Sequence, residues 1–134
     1  MPVVAQITPD QLAKSGSEDG HQLAILQWCA LNFNKYPELK WLHHSPNGGF
    51  RNKREAGKLK AMGVKRGFPD LCLLVRRKQY SGLLIELKQL KKGIVSTEQD
   101  QWKIHLNNEG FYATVCHGWL EAVAVIEYYL KLER

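Results

Sequence analysis

The sequence predicts an α/β fold in which a mixed central sheet is flanked by helices. Three observations predict it. Apolar residues recur at helical spacing near the start, about three-quarters of the way along and at the end of the chain. Two runs rich in branched residues, 70–75 and 82–88, flank a polar connection and read as a β-hairpin. Helical and extended stretches alternate in the order α, β, short α, β, β, α, β, α, which calls for helices packed on a sheet. A length of 134 residues suits one domain with one core. The expected division is an arm over 1–16 and a single domain over 17–134.

Residues 1–16 carry Pro, Gly and Ser without a clear period. A helix is expected from Ser17, with Leu23, Leu26, Ala30 and Phe33 as its apolar stripe, Ile25 and Cys29 widening it, and Pro37 ending it. Lys40–Ser45 is a candidate strand, and Pro46-Asn47-Gly48-Gly49 is a loop by turn chemistry. Arg51–Met62 reads as a basic helix stopped by Gly63. The two hairpin strands follow, and Lys91-Lys92-Gly93 forms a loop. A helix opens at Ser96 with Trp102 and Leu106 on one face and stops at Gly110. Phe111–Cys116 is a strand. The final helix, Trp119–Leu132, turns Val123, Ile126 and Leu130 inward and leaves Tyr128, Tyr129 and Leu132 for another surface.

Composition narrows the function classes. Hydrophobic residues make up 44% and charged residues 24%, as in soluble globular proteins. The longest apolar runs are too short to span a bilayer, so no membrane partner is expected. The N-terminus lacks the basic start and long apolar stretch of a signal peptide, which makes a cytoplasmic location the default. Cys29, Cys72 and Cys116 are odd in number and form no CxxC pair, against both a disulfide framework and a thiolate zinc site. They are expected as buried structural thiols. A net charge of +6 favours a polyanionic partner. Seven basic residues between Arg51 and Arg66 face one acid, Glu55. A solvated helix face would explain this run too, but the asymmetry favours nucleic acid.

The chemistry concentrates in Gly63–Lys88, GVKRGFPDLCLLVRRKQYSGLLIELK. Glu86 and Lys88 are two residues apart on a strand and so share a face, while Leu83, Ile85 and Leu87 face the other way. A charged pair on an apolar strand needs a partner, because burying unpaired charge is costly. With the hairpin turn centred near Lys78, facing residue numbers sum to about 156, which sets Asp70 opposite Glu86. Facing Cβ atoms lie roughly 4.5–5.5 Å apart. Two carboxylates that close repel unless a proton or cation lies between them. A hard divalent ion, Mg²⁺ or Mn²⁺, satisfies both. Together with the Lys88 ammonium, such a set suits phosphodiester hydrolysis. A lone ExK on a strand is more often an exposed charge pair; Pro69-Asp70 at hairpin spacing and the basic flank turn the balance.

GVKRGFPDL, then IELK, then STEQ followed by Trp102, resembles the virus-type replication-repair nuclease (VRR-NUC) domain, a branch of the PD-(D/E)xK superfamily. The resemblance covers about Asn47–Leu130 and weakly the first helix. It implies a restriction-endonuclease-like αβββαβ core and Mg²⁺- or Mn²⁺-dependent DNA cleavage. It also implies catalytic roles for Asp70, Glu86 and Lys88, with the Leu87 carbonyl as a metal ligand. Gln99 matches a family glutamine near the active site, yet Ser96-x-x-Gln99 is also a capping box, and both can hold. Glu18 matches a first-helix acid that completes the metal site. Asp19 competes with it, and Ser15-x-x-Glu18 has capping-box form as well. Adjacent His43 and His44 point to opposite strand faces, and no histidine has ligand spacing.

Asn47, Arg51, Lys53, Arg54, Lys65 and Arg66 are the candidate DNA-binding residues, mostly to phosphate; Gly48 and Gly49 permit close backbone approach. Free-standing family members from phages and bacteria look like dimeric junction resolvers. The leading expectation is therefore a homodimeric, structure-selective endonuclease acting on branched DNA, a four-way (Holliday) junction resolvase. The alternatives are another PD-(D/E)xK nuclease (flap, exonucleolytic or sequence-specific) and a non-catalytic basic DNA-binding replication accessory.

Overall fold

The computed structural model describes residues 7–46, 52–91 and 93–134. Asn47, Gly48, Gly49, Arg51 and Lys92, named above, lie outside them. A one-turn helix, α1 (Pro9–Leu12), falls within the stretch expected as an arm. Thr8 and Gln11 close it with a capping box. Helix α2 (Glu18–Leu31) is capped by Ser17, whose hydroxyl accepts from the Gly20 amide at 3.0 Å. Glu18 is thus the first helical residue, and the capping box expected from Ser15 is replaced by this cap. The helix stops at Leu31 rather than running to Pro37, because Asn32 folds its side-chain amide onto the Trp28 carbonyl at 2.9 Å. Pro37 instead opens a 3₁₀ helix, Pro37–Trp41.

Strand β1 (Leu42–His44) is followed by α3 (Lys53–Ala61), the basic helix, none of whose side chains is buried. Strands β2 (Leu71–Leu73) and β3 (Leu83–Lys88) form the hairpin, with Leu71 paired to Ile85, Cys72 to Leu84 and Leu73 to Leu83, so each pair sums to the expected 156. The local turn is offset by one, with Arg77 bridging Tyr80 and Lys78 at φ 49°. The connection absorbs the extra residue, and β2 ends at Leu73 instead of Val75. Helix α4 (Thr97–Asn108) crosses over to β4 (Tyr112–His117), and α5 (Trp119–Leu130) ends the fold. The sheet runs β1-β2-β3-β4, antiparallel except for the parallel β3–β4 pair. Among the described residues no helix is long and apolar enough to cross a membrane.

The main core lies between the sheet and α2/α5. Leu71, Leu73, Leu83, Ile85, Leu87 and Cys116 meet Ile25, Cys29, Ala122, Val123, Ile126 and Tyr129 there. Each fully buried aliphatic side chain contributes roughly 1.5–3 kcal/mol. The opposite face is smaller: Cys72, Leu84, Leu106 and Ala113, with Phe68, Trp102 and Phe111 at the margin. All three cysteines are free and buried. Two packing expectations fail. On α2 the core takes Ala24, Ile25 and Cys29, leaving Leu23, Leu26, Ala30 and Phe33 exposed. On α5, Tyr129 is fully buried, its hydroxyl donating to the Val75 carbonyl at 2.6 Å, and Leu132 packs at the core margin. Tyr128 alone of the three is exposed.

Arg77 anchors the hairpin turn. It is buried, and its guanidinium donates to the Leu130 and Arg76 carbonyls and, at 2.6 Å, to Glu38. The turn is thereby tied to α5 and to the 3₁₀ helix.

Candidate active site

The far end of β3 carries the charged residues. Pairing Leu71 with Ile85 leaves Asp70 just beyond β2 and beside Glu86. Asp70 Oδ2 accepts from the Leu87 amide at 2.8 Å. In a strand the N–H and C=O of one residue leave by the same edge, so the Leu87 carbonyl also projects past the end of β2. Glu86 Oε1 accepts from Gln99 Nε2 at 2.6 Å and lies 3.7 Å from Lys88 Nζ. Glu86 Oε2 is buried without a hydrogen-bond partner. Gln99 makes two contacts at once: its Oε1 accepts from the Ser96 amide at 2.9 Å, as a capping box does, while its amide nitrogen donates to Glu86.

Around these groups lies a cavity of about 220 Å³, reached by Glu18, Arg66, Asp70, Glu86, Lys88 and Gln99. A smaller hollow adjoins it, sharing Glu18 and Asp70 and adding Asp19, Gln22, His44 and Leu87. Glu18 lines both and Asp19 only the outer one. His44 Nδ1 lies 3.1 Å from the Asp70 carbonyl, and His43 is exposed outside both hollows. Of the expected DNA-binding cations, Arg66 lines the cavity and Lys65 a neighbouring one. Lys53 and Arg54 stand exposed on α3, outside both.

Three residues here escaped the sequence reading. Gln22 follows Glu18 by four, one turn along the same helix face, and that spacing was its signal. Both polar atoms of its amide are buried without partners. Gly67 has φ +90°, and a Cβ on it would stand 2.6 Å from the Glu98 backbone, so only glycine lets the loop before Asp70 lie against the start of α4. A Cβ on Gly93 would fall 2.5 Å from Lys88 Cβ. The chain there closes over the stem of Lys88.

The electrostatics follow from burial. Desolvation pushes the Glu86 carboxyl up to about 8, with the facing Asp70 charge adding to the rise and Lys88 opposing it. Asp70 is raised for the same first reason, against the Leu87 amide that favours its ionised form. Burial also raises Glu18, which feels Lys88, Asp70 and Asp19. The pair therefore holds a proton near neutrality unless another positive charge replaces it.

Among the described residues, no three His, Cys, Asp or Glu side chains converge as a group that would hold an ion by themselves. The donors present nonetheless fit a divalent cation. They are two adjoining carboxyls that cannot both ionise cheaply, an orphaned Glu86 oxygen, and a backbone carbonyl at the same strand edge.

A model of the VRR-NUC domain family matches residues 13–119. A solved structure of a VRR_NUC domain protein is 34% identical, covering 86% of this chain and 88% of that one, with a TM-score of 0.73. No curated protein matches. Matched over most of its length in sequence and in fold, the chain belongs to the VRR-NUC domain family, nucleases of the PD-(D/E)xK type.

Proposed function

We propose that this chain is a Mg²⁺- or Mn²⁺-dependent DNA endonuclease acting on branched DNA, four-way junctions foremost, as a homodimer. The observation that carries the metal-dependent reading is the Asp70–Glu86 pair. Two carboxyls share one end of β3, Glu86 buried and Asp70 half-buried, and one Glu86 oxygen has no hydrogen-bond partner. Asp70, Glu86, the Leu87 carbonyl and Glu18 would hold the ion. When bound, it supplies Lewis-acid polarisation of the phosphate and a lowered pKa for water. Lys88, largely buried beside Glu86, places a positive charge where negative charge develops on the phosphate and orients the attacking water. Gln99 fixes the Glu86 carboxylate. Arg66 and Lys65 meet the phosphodiester backbone, with Lys53, Arg54, Asn47 and Arg51 as further contacts along the flank. Residues 17–134 form the nuclease unit.

The dimer is supported by apolar side chains left in solvent. Leu23, Leu26 and Ala30 recur on one face of α2, and Leu120 and Tyr128 stand out from α5. Two identical sites suit the approximate twofold symmetry of a four-way junction. One gel tests the whole reading: labelled linear duplex, flap, splayed-arm and four-way-junction DNA, each with Mg²⁺, Mn²⁺ or EDTA. Paired nicks in the junction, lost in EDTA, are expected. Cleavage of flaps or ends alone would remove the resolvase assignment, and no cleavage of any DNA would leave a binding protein. Light scattering tests the dimer, which should give twice the 15.4 kDa chain mass.

A further inference from the structure

Next to the catalytic cavity, on the outer side of α4, lies a second cavity of about 410 Å³. Lys65, Arg66, Glu98, Gln101, Trp102 and His105 line it. Its size falls within the roughly 300–1,000 Å³ of small-molecule sites. Trp102 sits at the margin of the small core and is fixed by two near-perpendicular ring contacts, to Phe68 at 5.0 Å and to His105 at 6.0 Å. Packing on that face needs an apolar side chain at 102, but it does not need two cations and two hydrogen-bonding side chains around the same hollow. Arg66 lines both this cavity and the catalytic one, so the two open onto a shared wall. The close approach of Gly67 to Glu98 and Gln99 holds that wall in place.

We infer that this cavity receives the base of an unpaired nucleotide of the DNA substrate, beside the strand being cut. The lining matches a nucleotide part by part. The indole offers a stacking surface, which tolerates any base because every base has a π-face. Lys65 and Arg66 meet the adjoining phosphate. Gln101 and Glu98 supply hydrogen-bonding groups for base edges, a carboxylate suiting exocyclic amines. Two cations against one acid favour a nucleotide over an acceptor of cationic peptide. This inference rests on the nuclease reading and deepens it: the enzyme would recognise branched DNA partly through a base that pairing leaves free.

The test uses splayed-arm DNA in EDTA, so that binding is read without cleavage. The first unpaired nucleotide of each arm carries either its base or an abasic sugar, which keeps every phosphate. The native chain should bind the base-containing DNA about 5- to 100-fold more tightly than the abasic DNA, the range of base–aromatic stacking. Trp102→Leu should bring that ratio close to one, and Trp102→Phe should keep most of it. Should Trp102→Leu not fold, Trp102→Met, which keeps a large apolar side chain but has no aromatic face, should lower the ratio equally. Equal binding of both DNAs by the native chain overturns the inference, as does a full ratio in folded Trp102→Leu or Trp102→Met. If the native chain shows no ratio but still cleaves DNA with Mg²⁺, the cavity assignment fails and the nuclease survives. If it binds no DNA of any form, both fail.

Discussion

Two buried charged clusters lie at opposite ends of the β2–β3 hairpin, and they differ in what surrounds them. At the turn, Arg77 is surrounded by acceptors: two backbone carbonyls and the Glu38 carboxylate. At the other end, Glu86 keeps one oxygen without a partner and faces a second carboxyl. A buried charge with its hydrogen bonds made fastens the fold. A buried charge left unfinished is held there by the rest of the fold and marks a candidate functional site. The first cluster is structural and the second is the proposed site, and substitutions at the two should fail in opposite ways.

The largest effect is expected at the unfinished cluster. Asp70→Ala, Glu86→Ala and Lys88→Ala should each lower the cleavage rate by at least about 10³-fold, since members of one catalytic unit fail together. Circular dichroism should show each still folded. At the turn, Arg77→Met should do the reverse, costing about 3 kcal/mol in denaturant unfolding. Glu38 stays partly hydrated, which keeps this at the low end for a broken pair. Cleavage per folded molecule should be unchanged. A folded, stable Arg77→Met with lost activity would mean the two ends of the hairpin are not separable.

Gln99 divides more finely, because one side chain serves a helix cap and the site. Gln99→Ala should lower activity about 10- to 100-fold, as loss of a residue that orients a ligand does. Gln99→Glu keeps a capping oxygen but loses the side-chain amide N–H that donates to Glu86. It should match the wild type in helix stability yet fall with Gln99→Ala in activity. Recovery of activity in Gln99→Glu would make the cap the whole role.

The smallest effect is on the stability of the metal-free chain. Folding raises the Glu86 carboxyl from 4.5 to about 8, so the folded chain binds this proton more tightly than the unfolded chain does. The stability it contributes is fully present below about pH 4.5 and is lost as pH rises through about 8. Melting temperature should therefore fall across that window in EDTA. Glu86→Gln, which has no proton to lose, should flatten the fall and be the more stable at the alkaline end. A wild-type curve that rises through this window would contradict the raised Glu86.

The hairpin was legible in the sequence because strand periodicity fixes which residues face each other once the turn is placed. The pairing of Leu71 with Ile85, and with it the meeting of Asp70 and Glu86, follows from setting the turn near Lys78. The face of α2 was not legible, because that helix is apolar on two sides. Leu23, Leu26 and Ala30 satisfy helical spacing as well as Ala24, Ile25 and Cys29 do. Tyr129 misled for a related reason: its ring is core, and its hydroxyl needs the Val75 carbonyl, which no local pattern announces. In the site, Gln22 had a local signal in its spacing of four from Glu18, whereas Gly67 acts through the approach of a loop to α4, which spacing along the chain does not record.

In the proposed site the Glu86 proton stands where a divalent cation would bind. Calorimetric titration of Mn²⁺ into the metal-free chain at pH 7, repeated in buffers of different ionisation enthalpy, reads this directly. Because Glu86 titrates near 8, it is mostly protonated at that pH, and ion binding must displace its proton. The wild type should release close to one proton per ion bound, and Glu86→Gln should bind the ion more weakly and release none. Unchanged affinity in Glu86→Gln, or Mn²⁺ binding to the wild type without proton release, would contradict it.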